Sequence, residues 1–225
     1  MKSKPTPSEY YYGNEAASYE EKRNNKRWRI EEDAFEELLR QIVPREIVDC
    51  PIGTGRWLKL YQDNLDLSCT TITGFDISPD MLEEAKSRAR QLDVALSVRC
   101  RDLSDGNLPS FESDQGLFVS TRFLNWCHPK QLEATLEVYA YTNPKWIICS
   151  LRYTSEASPV EHIRLHAGRL WTKYIRRRKK PLPYIHKLRD FEQIVLKKNY
   201  RISDRLTIDK FASANYCYFL LERNS

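Results

Sequence analysis

The chain has 225 residues, 41% of them hydrophobic and 30% charged, with a formal net charge of +5. That length suits one α/β domain with small additions, large enough to bury a core without disulfide or metal staples. Only 7 glycines and plentiful aromatics exclude a fibrous or low-complexity chain, and no apolar run approaches the roughly 20 residues that a membrane-spanning helix needs.

The opening Met1-Lys2-Ser3-Lys4-Pro5-Thr6-Pro7 has no apolar stretch behind its charges and does not read as a secretory signal. Cys50, Cys69, Cys100, Cys127, Cys149 and Cys217 are scattered, without a CxxC pair or a histidine at zinc-finger spacing. Most lie in apolar, strand-like segments, where free cysteine packs as a small hydrophobe. This usage predicts a reduced, cytoplasmic protein without structural zinc.

Residues 1–13 form a polar, tyrosine-rich arm. From Ala16 to Ile42 the pattern is helical: Trp28, Phe35, Leu38, Leu39 and Ile42 recur at helical spacing and Pro44 ends the run. Glu46 to Cys50 reads as a short buried strand, followed by the turn Pro51-Ile52-Gly53-Thr54-Gly55 and a helix from Arg56 to Gln62. Thr70 to Phe75 is the next strand; Ser78 as N-cap and Pro79 as first helical residue start a helix that runs to about Leu92. Ala95 to Cys100, Gly116 to Ser120 and Lys145 to Leu151 follow as strands, with a helix from Pro129 to Tyr141 before the last. A helix over Lys187–Lys198 precedes Tyr200–Ile208 and Tyr216–Leu221, which are spaced to pair as an antiparallel hairpin. The alternation predicts an α/β fold: a doubly wound, mostly parallel, Rossmann-like sheet of seven strands ending in that hairpin, with helices on both faces.

The core is then 44–154 together with 186–225, preceded by an arm and helix over 1–43. Residues 155–185 are an insert holding Trp171, Tyr174 and the run Arg176-Arg177-Arg178-Lys179-Lys180, and no acid occurs between Arg164 and Arg189.

In an open α/β sheet the ligand lies beyond the carboxyl ends of the strands, where strand order reverses. The loop after the first strand carries Gly53 and Gly55, which permit a sharp turn and close backbone approach. A dinucleotide fingerprint would need a third glycine or alanine where Leu58 stands, and a P-loop would need Lys where Arg56 stands. Asp76 ends the next strand, where a carboxylate accepts from both hydroxyls of a ribose. Asp102 ends the third strand, within reach of an adenine edge. An adenosine without phosphates suits this set.

The stretches Asp49-Cys50-Pro51-Ile52-Gly53-Thr54-Gly55-Arg56, Gly74-Phe75-Asp76-Ile77-Ser78-Pro79-Asp80-Met81-Leu82 and Arg101-Asp102-Leu103 resemble the first three motifs of class I S-adenosylmethionine-dependent methyltransferases. The resemblance extends from about Tyr10 to Glu222. It implies S-adenosylmethionine as cofactor, with Asp49 and the Gly53–Gly55 backbone cradling its methionine part and Asp76 holding the ribose hydroxyls. Ile77 would pack on adenine, and Asp102 and the Leu103 N–H would read the adenine edge. Pro51, Met81 and Ser120 complete the implied cofactor set. The arm over Tyr11, Tyr12, Tyr19 and Arg23 resembles a cofactor lid, with Arg23 pairing to the cofactor carboxylate. Pro51 departs from the family's glycine and, lacking an N–H, shapes the loop differently.

Arg122, Asn125 and Trp126 follow the fourth strand and are the candidate acceptor residues. A hydroxyl acceptor needs a base, for which His128 or His162 are the candidates. The Asn/Asp-Pro-Pro-aromatic motif of amino-methylating DNA enzymes is absent after strand four. Cys50-Pro51 reverses the Pro-Cys order of cytosine-5 enzymes. A small-molecule acceptor ranks first. An RNA acceptor engaged by Arg176–Lys180 is second, and a methyltransferase-like binding protein without turnover, suggested by Pro51, is third.

Overall fold

The computed structural model of the chain describes residues 26–103, 106, 108–154, 183–211 and 214–224. Tyr11, Tyr12, Tyr19 and Arg23 of the arm, and the insert with His162, Trp171, Tyr174 and Arg176–Lys180, lie outside the described residues.

In chain order the elements are α1 (Lys26–Leu39), β1 (Glu46–Asp49), α2 (Leu58–Asn64), β2 (Thr71–Asp76), α3 (Pro79–Gln91), β3 (Ser97–Cys100) and β4 (Gly116–Ser120). Two 3-10 turns, Leu124–Trp126 and Pro129–Gln131, lead into α4 (Leu132–Tyr141). Then come β5 (Trp146–Thr154), β6 (His186–Lys187), α5 (Leu188–Lys197), β7 (Tyr200–Phe211) and β8 (Ala214–Arg223). The strands form one sheet in the order β3-β2-β1-β4-β5-β8-β7, with β6 paired to β5. β8 runs antiparallel to both β5 and β7, while β1 to β6 pair in parallel. The expected architecture is present, with β6 as an additional strand too short to leave a periodic signal.

Period-two alternation divides the core between the two faces of the sheet. Ile47, Leu117, Val119, Ile148, Tyr218 and Leu220 point to the face covered by α1 and α2, where they meet Phe35, Leu38, Leu58 and Tyr61. Val48, Phe118, Ile147, Cys149, Leu151 and Phe219 point the other way, onto Leu136 and Tyr139 of α4 and Phe191 of α5. Both faces of the central strands are therefore apolar, as a covered parallel sheet requires. Among the described residues no helix is long and apolar enough to cross a membrane.

Strand order reverses between β1, which continues outward to β2, and β4, which continues to β5. Their carboxyl ends, Asp49 and Ser120, open the crevice where such folds hold ligands. A cleft of about 180 Å³ lined by Val43, Asn64, Asp66 and Cys69 lies elsewhere, beside the residues that precede β1 and β2.

Candidate functional site

The loop leaving β1 turns through a cis Cys50–Pro51 bond, with Gly53 at φ 57° and Gly55 at φ 73°. The two glycines have different reasons to be there. A Cβ on Gly55 would stand 2.7 Å from Leu58 Cδ1 and 3.3 Å from Ala85, so its bareness lets α2 and α3 pack closely. A Cβ on Gly53 would meet nothing within 4 Å, so Gly53 borders open space.

Asp76 closes that space from the side of β2. Its Oδ2 accepts from the Gly53 N–H at 2.9 Å and its Oδ1 from the Ser78 N–H at 2.9 Å. A carboxylate offers about four lone-pair sites, so with the Ile77 backbone donating as well acceptor capacity remains for a ligand hydroxyl. Burial raises the Asp76 pKa, opposed by hydrogen bonds from the Ser78, Gly53 and Ile77 backbone. Ser78 caps α3, its side chain accepting from the Met81 N–H at 3.3 Å, and the Met81 side chain is buried. Ile77 is 38% exposed, an unusual place for isoleucine and a ready apolar shelf next to Asp76. Asp102 is half-buried beyond β3, and Leu103 is buried in the core.

Asp49 is 2% exposed and accepts from Tyr61 Oη at 3.0 Å. Burial pushes its pKa up to about 8, with the Tyr61 bond acting downward and the Asp76 charge upward. The carboxyl anchors the glycine loop to α2. Ser120 is also inward: its Oγ pairs with Tyr139 Oη at 2.7 Å, on the α4 face of the sheet.

Beyond β4 the structure redistributes the acceptor candidates. Arg122 adopts φ 65°, a left-handed conformation that costs a side-chain-bearing residue about 1–2 kcal/mol. It is held there by its N–H, which donates to Ser150 Oγ at 2.6 Å. Asn125 is a tether: its Oδ1 accepts from the Arg152 N–H and its carbonyl from the Tyr184 N–H, both at 2.6 Å. Trp126 stays 43% exposed and available. His128 caps the second 3-10 turn, its Nδ1 accepting from the Lys130 N–H at 3.2 Å while Gln131 Oε1 accepts from its N–H at 3.1 Å. That bond occupies a nitrogen a base would use, because capping competes for the lone pair.

Sequence reasoning missed the centre that joins these loops. Glu31 of α1 is fully buried; its Oε2 accepts from Arg56 Nη1 at 2.8 Å and Tyr218 Oη at 3.1 Å, and its Oε1 from Arg122 Nη2 at 3.1 Å. Arg56 also lies over the Trp28 ring, 3.4 Å from its centroid, and donates to the Trp28 carbonyl at 2.8 Å. One carboxylate therefore ties α1 to the glycine loop, the β4 loop and β8. The available signal was Glu31 itself, which shares the helical face of Phe35 and Leu38. Trp57 adds a second tie, donating from Nε1 to Thr121 Oγ1 at 3.0 Å. Among the described residues, no three His, Cys, Asp or Glu side chains gather to hold a metal.

Compared with known proteins, residues 47–145 match the family model described as a methyltransferase domain. No curated protein matches the chain. Among solved structures, magnesium protoporphyrin IX methyltransferase from Synechocystis PCC 6803, with bound SAH, superposes with a TM-score of 0.66 at 13% identity, over 96% of this chain and 98% of that one. The 4+2 cyclase SpnF superposes with a TM-score of 0.63 at 14% identity, over 89% of this chain and 86% of that one. Geranyl diphosphate C-methyltransferase from Streptomyces coelicolor A3(2), solved with Mg2+, geranyl-S-thiolodiphosphate and S-adenosyl-L-homocysteine, gives 0.59 at 10% identity, over 85% of this chain and 76% of that one. Likeness at such identities is likeness of fold.

Proposed function

We propose that this chain, whose residues 47–145 match the methyltransferase-domain family model, is a class I S-adenosylmethionine-dependent enzyme that transfers a methyl group by in-line displacement to a small-molecule acceptor bearing a nitrogen or oxygen nucleophile. The observation that carries this reading is the pairing of Asp76 with Gly53 across the ends of β1 and β2, beside open space above Gly53 and the exposed Ile77.

When bound, the cofactor supplies an electrophilic methyl group on a cationic sulfur. Asp76 is suited to accept from a ribose hydroxyl with the lone-pair capacity that the Gly53, Ser78 and Ile77 N–H groups leave over. Ile77 offers the adenine an apolar face, and Asp102 with the Leu103 N–H offers hydrogen bonds to its edge. The protein's own contribution is orientation and exclusion of water. Arg122, fixed on Ser150 and Glu31, and Trp126 would position the acceptor. Support for a small acceptor comes from geranyl diphosphate C-methyltransferase, a small-molecule enzyme of the same fold. SpnF, a cyclase by name, shows why the fold alone does not fix the chemistry.

Calorimetry with S-adenosylhomocysteine tests the cofactor site. Asp76→Asn and Asp76→Ala should weaken binding by about 2–4 kcal/mol, since hydrogen bonds to a charged group are worth about 1.5–3 kcal/mol each. Undiminished affinity in a folded variant would refute the assignment. Methyl transfer to RNA, steeply weakened by salt, would replace the small-molecule reading.

A further inference from the structure

His186 takes no part in the cofactor site, yet it is a buried titratable side chain at the same edge of the sheet. β6 pairs with β5 through Tyr153 and Thr154, beyond the last β4–β5 rung at Ser120 and Cys149. β8 occupies the other edge of β5 as far as Tyr153. β6 therefore continues the lane that β4 leaves when the chain turns away at Thr121, and His186 stands at the carboxyl ends of β4 and β5.

Its ring is held in one tautomer. Nε2 lies 2.9 Å from the Leu124 carbonyl oxygen, in the 3-10 turn that carries Asn125 and Trp126. A carbonyl only accepts, so Nε2 bears the hydrogen. Burial lowers the ring's pKa and His128 nearby lowers it further, against the Leu124 bond and Asp190, which favours the neutral ring. Nδ1 is left as a bare lone pair on a residue 2% exposed, with no hydrogen-bond partner among the described residues. Buried polar atoms rarely go unpaired, and leaving one so costs about 1–3 kcal/mol. What completes it must be a donor. Aromatic side chains gather at this end of the sheet: Phe123, just before Leu124, packs on the adjoining core, Trp126 of the same turn is half open, and Tyr184, two residues before His186, stands edge-on to His128 at 5.2 Å.

We propose that His186 Nδ1 receives the hydroxyl of a phenol-like methyl acceptor and acts as its base. This rests on the cofactor reading above. As the hydroxyl oxygen's electron pair forms the bond to the methyl carbon, the methyl–sulfur bond breaks with its pair left on sulfur. The hydroxyl proton passes to Nδ1, and the resulting imidazolium keeps its Nε2–H on Leu124 until the new proton is lost to solvent. An amine acceptor would bring its own lone pair and need no base before attack, so a neutral buried imidazole favours the hydroxyl.

The test uses full-length protein with 15N-labelled histidine, saturated with S-adenosylhomocysteine and titrated with phenol or with anisole, which has no hydroxyl proton. Phenol should move the His186 Nδ1 resonance upfield, as accepting a hydrogen bond does, and bind at least about tenfold more tightly than anisole. That preference corresponds to about 1.4 kcal/mol. His186→Gln, whose amide can still donate to the Leu124 carbonyl, should abolish the preference and leave S-adenosylhomocysteine affinity unchanged. An unmoved Nδ1 signal, absence of phenol binding, or equal preference in the variant, each with S-adenosylhomocysteine bound normally, overturns the assignment of His186. Failure of the unmodified protein to bind S-adenosylhomocysteine overturns the cofactor reading, and this proposal with it. The nitrogen shift is read on the unmodified protein, so the proposal stays testable even if the variant does not fold.

Discussion

Glu31 and Asp49 are two of the buried carboxyls that shape the crevice, and their environments have opposite consequences. Glu31 is surrounded by Arg56, Arg122 and the Tyr218 hydroxyl, with Arg27 Nε at 3.5 Å. Removing one member of such a buried group strands the others without their counter-charge. Glu31→Ala should therefore cost about 3–5 kcal/mol in urea denaturation, with Glu31→Gln less damaging because it retains an acceptor oxygen. A loss below about 1 kcal/mol for the alanine variant would mean that water reaches the cluster. Asp49 faces a phenol instead of a cation, and burial holds its pKa near about 8 against an ordinary 3.8. Between those values the folded protein keeps a proton that the unfolded chain has released. Stability should thus fall as pH rises from about 4 to about 8, by up to about 1.4 kcal/mol per pH unit from this group, and level off above. Asp49→Asn should flatten that slope in denaturation curves taken across the range; an unchanged slope would assign it to another group.

At the scale of elements, the glycine loop and the start of α3 act as one unit. Asp76 grips both, through the N–H groups of Gly53 and Ser78. The two glycines should respond differently to alanine. Gly55→Ala adds a methyl that collides with Leu58 and crowds Ala85, in addition to the left-handed backbone cost. It should lose stability well beyond the about 1–2 kcal/mol of that backbone term. Gly53→Ala meets open space and should lose only the backbone term, while its methyl projects into the proposed cofactor volume. Calorimetry should show the larger loss of S-adenosylhomocysteine affinity at Gly53 and thermal melting the larger loss of stability at Gly55; the reverse order would place the ligand elsewhere. At the head of α3, Ser78→Ala removes the cap to Met81 and should cost about 1 kcal/mol.

Across the whole molecule, a ligand seated between β1, β2 and β4 binds only the assembled sheet, so it should stabilise the fold by mass action. S-adenosylhomocysteine at about 100 times its Kd should add about 2.7 kcal/mol, which in a chain of this size raises Tm by roughly 5–10 °C. An unshifted melting curve at that concentration would contradict the site. The order of elements was readable in the chain because alternation at periods of 2 and 3.6 is a local property, written into segments such as Gly116–Ser120 and Phe35–Ile42. The glycine loop and Asp76 were readable for the same reason, since a tight turn and a strand-terminal acid are short-range features. Strand ends were less so: β5 runs on to Thr154 and β7 to Phe211, because pairing with β8, and with β6 at Thr154, extends them past their apolar stretches. β6 has two residues and exists only by pairing with β5. Side-chain roles depended most on tertiary structure. Ser120, Asn125 and His128 bear chemistry that suits a site, yet Tyr139, the Arg152 and Tyr184 amides, and the Lys130 amide take up that chemistry in the fold. Glu31 meets Tyr218 across a separation of 187 residues. Periodicity records which face of an element is apolar, because burial acts on each residue separately. Hydrogen bonds and ion pairs need two partners within about 3 Å, and for pairs this distant in the chain only the folded sheet brings them there.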